Sequence, residues 1–128
     1  MTKNISEQLD FLLAHAKKSG ATDADALMVV SRDVGVSRRL SKQEGLLRSE
    51  ARGVGLRVFV GKKQALVSSS DTEPDMLKTL AERAVAMAKA APQDPFSELA
   101  PKDRLVKDIP SLELCDKSEP EVSTLDDW

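Results

Sequence analysis

Between Pro74 and Ala91 the apolar residues Leu77, Leu80, Ala81, Ala84, Val85 and Ala88 recur at i, i+3, i+4, i+7, i+8 and i+11. That spacing is one stripe of an α-helix, with Lys78, Glu82, Arg83 and Lys89 lying off it. Thr72 is placed to cap this helix, with Asp75 at the capping-box position and Pro74 in the first turn, where a missing N–H costs little. Pro92 ends it. The stripe is rich in alanine, so the helix can approach a sheet closely. No other signal in the chain is as strong, and any fold must supply a flat apolar surface for this helix.

The preceding residues supply that surface by changing period. Asn4 and Glu7 form a plausible capping pair, and Ile5, Leu9, Leu12, Leu13 and Ala16 continue at helical spacing until Gly20, which predicts a first helix over about residues 5–19. From Asp25 onward the period is two. "ALMVVSR" reads as a buried strand, "VGVSRRLS" puts Val34, Val36 and Leu40 on one face, and "GLLRSEAR" follows Gly45. "LRVFV" alternates Leu56, Val58 and Val60 against Arg57 and Phe59. "GKK" at Gly61–Lys63 is a hairpin turn, and "QALVSSS" is the return strand. Links this short require antiparallel neighbours. The expected fold is α+β: an N-terminal helix, a five-stranded antiparallel meander, a second helix and an extended acidic tail.

Charge separates that tail from the body. Residues 1–91 carry 15 Lys+Arg against 11 Asp+Glu, or +4, whereas residues 92–128 carry 4 against 10, or −6. Five of the six prolines (Pro92, Pro95, Pro101, Pro110 and Pro120) also fall after Ala91, so residues 1–91 are expected to form the domain and 92–128 a linker or arm. The overall charge of −2 argues against a bulk electrostatic grip on nucleic acid. One cysteine, Cys115, excludes an internal disulfide and fits a reducing compartment. No apolar run approaches the roughly 20 residues of a membrane helix, and the N-terminus lacks a signal-peptide core. The expectation is a cytoplasmic protein without a membrane partner.

Two motifs in "EARGVGLRVFVGKKQALVSSSD" invite a functional reading. Gly53 and Gly55 match the start of a dinucleotide fingerprint, but Val58 holds the third glycine position and the motif runs into a strand rather than a helix N-terminus. "RGVGLRVF" approaches an RNA-binding strand, yet Val54 and Leu56 stand where stacking rings belong. A bend or bulge and a solvated sheet face are the plainer explanations. Catalytic chemistry is equally thin. His15 has no acid or thiol beside it in sequence, one His and one Cys cannot supply the four ligands of a structural zinc site, and Asp116 beside Cys115 opposes thiolate formation. No cofactor is expected.

Taken in order, "ADALMVVSRDVGVSRRLSKQEGLLRSE", "ARGVGLRVFVGKKQALVSSSD" and "EPDMLKTLAERAVAMAKAAPQDPF" resemble the N-terminal domain of the PmbA/TldD family, also called modulator of DNA gyrase. "APQDPFSELAPKDRL" and "LELCDKSEPEVSTL" look closer to PmbA, also called TldE. The resemblance implies a non-catalytic subunit in a cytosolic complex that digests unfolded peptides. The zinc and its His-Glu-x-x-x-His helix would belong to a TldD-like partner, and no such motif occurs here. It also implies that the chain is part of a longer protein, with Pro120 and Ser123–Thr124 approaching a further helix. Arg39, Arg48 and Arg57, which alternate away from the core side, are the candidates for touching a peptide or the partner subunit. A stand-alone module that binds nucleic acid or gyrase is the alternative.

Overall fold

A computed structural model describes residues 4–116 and 118. The element order is helix α1 (Ile5–Lys18), strand β1 (Asp23–Arg39), strand β2 (Lys42–Val60), strand β3 (Lys63–Ser69), helix α2 (Pro74–Ala90) and one 3-10 turn at Lys102–Arg104. The strands form one sheet in the order β1-β2-β3. The α+β class stands, but the five-stranded meander is corrected to a three-stranded antiparallel sheet with two long strands. Gly35, Gly45, Gly53 and Gly55 break nothing, because positive φ occurs among the glycines only at Gly20 and Gly61. The real reversal lies at Leu40–Ser41, with φ of 51° and 59°. Positive φ at both central residues is the type I′ pattern, built here without its usual asparagine or glycine.

The chain divides into two compact units, residues 1–30 with 52–100 and residues 31–51 with 101–128. In the first, α1 and α2 lie in contact, and α2 packs on β3. Leu12 and Ala16 of α1, Val54, Leu56 and Val58 of β2, and the whole stripe of α2 form one buried cluster. Leu56 stands opposite Val67 and Val58 opposite Ala65 across the β2–β3 pair. Ala24, Ala26 and Met28 of β1 pack against the same cluster. Burying each leucine or valine of this cluster stabilises by about 1.5–3 kcal/mol, and each alanine by less.

Helix ends follow local chemistry. At the end of α1, Gly20 N–H donates to the Lys17 carbonyl and Ala21 N–H to the Ala16 carbonyl, both at 3.0 Å. These bonds define a Schellman turn, and Gly20 (φ 112°) supplies the left-handed residue it needs. Asn4 Oδ1 accepts from Ser6 N–H at α1's start. The predicted Thr72 cap of α2 is corrected. Glu73 occupies the cap position without a side-chain bond, Pro74 takes the first turn, and Asp71 Oδ1 accepts from Glu73 N–H to set the approach. Thr72 instead offers its carbonyl to Gln8 Nε2 of α1 at 3.1 Å.

The second unit contains the outer hairpin of β1 and β2. Ser37 Oγ comes within 2.8 Å of where a Cβ on Gly45 would sit, so a side chain at 45 would require the Ser37 hydroxyl to turn away. Arg32–Glu50 and Arg39–Glu44 are exposed pairs at 3.9 Å. The expected helix approach at Pro120 and Ser123–Thr124 lies outside the described residues.

Candidate functional site

Both helices pack on one face of the first unit's sheet, so the opposite face has to find its own cover. Alternation along β2 turns Gly53, Gly55, Arg57 and Phe59 to that outer face. Across the register, Gly55 meets Ser68 and Arg57 meets Leu66. On the other side of β2, Leu27 and Val29 of β1 are 67% and 55% exposed, and Leu66 of β3 is 70% exposed. "ALMVV" is therefore not buried on both faces as its composition suggests. Its outward residues are simply apolar as well.

Gly53 and Gly55 leave a trough between these rows. A Cβ added at either glycine would meet nothing within 4 Å. The resulting groove of about 660 Å³ is lined by Leu27, Val29, Gly53, Gly55 and Ser68–Ser70. Its floor is backbone, one wall is aliphatic and the other carries hydroxyls. Such a surface can accept a bulky side chain or an extended segment, but it holds no acid, base or nucleophile pair.

Arg57 follows Gly55 on the same face of β2. Its Nε and Nη2 donate to Asp25 Oδ1 and Oδ2 at 2.8 and 2.6 Å, and its guanidinium carbon lies 5.3 Å from the Phe59 ring centroid. The bond to Asp25 raises the Arg57 pKa above its ordinary value, against a smaller opposing effect of burial. Both side chains remain more than 40% exposed, so water screens the pair and its net worth is about 1 kcal/mol or less.

The sequence candidates are thus separated. Arg57 lies in the first unit with its charge already matched by Asp25, whereas Arg39 and Arg48 lie in the second. Arg39 faces Glu44 and Arg48 is exposed on β2. His15 stacks on Phe11 with ring centroids 4.2 Å apart, its Nδ1 3.2 Å from the Phe11 carbonyl oxygen. Cys115 is exposed. Among the described residues no cluster of three or more His, Cys, Asp or Glu could hold a metal ion, and no helix is long and apolar enough to cross a membrane. Sequence reasoning missed Leu27, Val29 and the two glycines as a surface. The signal was the period-two alternation, which puts Leu27, Val29, Gly53 and Gly55 on the face opposite Met28, Val54 and Leu56.

Comparison with known proteins gives this architecture a place. Residues 24–88 match the family described as PmbA/TldA metallopeptidase domain 1. The chain is 31% identical over 112 residues to a metalloprotease PmbA homolog of Haemophilus influenzae, covering 88% of this chain and 25% of that protein. Its fold is shared with a putative modulator of DNA gyrase from Bacteroides thetaiotaomicron (TM-score 0.80, 20% identity, 91% of this chain and 27% of that one). It is also shared with TldE from Thermococcus kodakarensis (TM-score 0.66, 20% identity, 83% and 24%). The chain spans about a quarter of the length of these relatives. On the family match and the identity together, the chain belongs to the PmbA/TldD family and corresponds to its N-terminal domain.

Proposed function

We propose that this chain serves as the N-terminal domain of a PmbA/TldE-like, non-catalytic subunit of a cytoplasmic peptide-processing complex. In this reading a TldD-like partner carries the zinc and cleaves unfolded peptides, while this domain guides peptide and helps assemble the pair. The observation that carries the reading is the 31% identity to a metalloprotease PmbA homolog across 88% of the chain. The apolar, glycine-floored face supports the peptide part, because non-directional apolar contact discriminates little between sequences. Arg39 and Arg48 supply cationic contacts to acidic residues of peptide or partner. Arg57 serves less directly, since Asp25 already matches its charge.

The test is co-expression with the TldD-like subunit of the same cell, followed by affinity capture and turnover of an unfolded peptide. Capture of the subunit and altered turnover are expected. Arg39→Glu with Arg48→Glu should weaken capture without lowering the thermal midpoint. Failure of capture together with salt-sensitive binding of DNA would replace this reading with the nucleic-acid module.

A further inference from the structure

The Gly61–Lys63 turn gathers three segments that are remote in sequence. Gly61 N–H donates to Thr22 Oγ1 at 3.1 Å, at the entrance to β1. Lys63 Nζ donates to the Lys89 carbonyl oxygen at 3.0 Å, in the last turn of α2, where carbonyls lack intrahelical partners. Lys62 holds the chain that follows α2. Its carbonyl accepts from Asp94 N–H at 2.8 Å, and its ammonium pairs with the Glu98 carboxylate.

Between those two anchor points the chain closes on itself. Ser97 N–H donates to the Asp94 carbonyl at 3.0 Å, and Phe96 N–H donates to Asp94 Oδ1 at 2.9 Å. Pro95 occupies the second turn position, where its fixed φ suits a type I turn, and Asp94 the first, where its carboxylate can bond ahead. The turn therefore carries its own bonds and can move as one piece. One backbone bond, from Asp94 N–H to the Lys62 carbonyl, and one ion pair hold it down. The Lys62 and Glu98 side chains are 45% and 62% exposed, which leaves their attraction heavily screened. Against closure stands Ser97, which is 4% exposed while its Oγ has no hydrogen-bond partner among the described residues. Burying a hydroxyl unpaired penalises the closed state.

We propose that Asp94–Glu98 is a latch on the Gly61–Lys63 turn. It opens as a unit while sheet and helices stay folded. The latch is poised because a hydroxyl that resists burial offsets the bonds that close it.

Amide exchange by NMR on the whole chain tests this, with Asp94 N–H as reporter because its bond crosses from latch to turn. Lys62→Gln should quicken Asp94 exchange by about two- to fivefold. Ser97→Ala should slow it by about fivefold or more, since it removes the unpaired hydroxyl. The Leu56 and Leu80 amides should keep their rates, and Lys62→Glu with Glu98→Lys should return Asp94 towards its original rate. The proposal is overturned if Asp94 exchanges at the rate of Leu80 in every variant, which would make opening global. It is equally overturned if Ser97→Ala quickens exchange, which would show that the hydroxyl contributes to closure.

Discussion

Leu40 and Ser41 hold left-handed backbone at the tip of the long hairpin, where neither residue type is at ease. Each such position costs about 1–2 kcal/mol for a side chain with a Cβ. Replacing the pair by Asn-Gly should raise the stability of the hairpin by about 1 kcal/mol, read as slower amide exchange at neighbouring Arg39 and Lys42. A loss of protection there would mean that the turn is not type I′. The opposite sign is expected at Gly20. Its φ of 112° disfavours any L side chain, so Gly20→Ala should lower the urea midpoint, by about 1 kcal/mol of stability. Gly20 was legible in the sequence because a helical stripe stopped beside it. The Leu40–Ser41 reversal was not, because nothing in those two side chains asks for positive φ.

At the scale of elements, α2 was read correctly down to its buried residues, because a stripe at 3.6-residue spacing has one solution. Leu80→Ala should cost about 2–5 kcal/mol and Lys78→Ala less than about 0.5 kcal/mol, compared by denaturant midpoint. Equal midpoints would remove α2 from the core. The strands were read less well. Their alternation was visible, but glycine in a strand carries no sign that separates a break from a close approach or an open trough. The reading of two long strands as four followed from that. The trough itself yields a test. Gly55 lies in extended backbone with open space above it, so Gly55→Val should be tolerated or mildly stabilising, by about 0.5–1 kcal/mol. The same substitution should reduce peptide-dependent turnover of the assembled complex if the groove is used. Turnover unchanged by a filled groove would remove this face from the functional proposal.

For the whole molecule, the break in charge at Pro92 marked the end of a helix rather than the end of packing. Residues 92–100 cluster with the first unit, and Asp94 and Glu98 are tied to Lys62. Limited proteolysis should accordingly begin beyond Ala100 and leave Asp94–Glu98 attached to the larger product. First cuts between Pro92 and Ser97 would contradict that docking. Composition could not reveal it, because the anchoring is done by one carbonyl and one exposed ion pair rather than by an apolar run. The Gly61–Lys63 turn has a further consequence, which concerns time. Its bonds to Lys89 and Glu98 bridge 26 and 36 positions of sequence. Closing loops of that size costs entropy before any bond is gained. Neither bond can form until β2 and β3 have paired and α2 has folded back beside them. Protection at Asp94 should therefore appear after protection at Leu56 in pulse-labelled refolding, so that this small turn registers the completion of folding rather than its beginning.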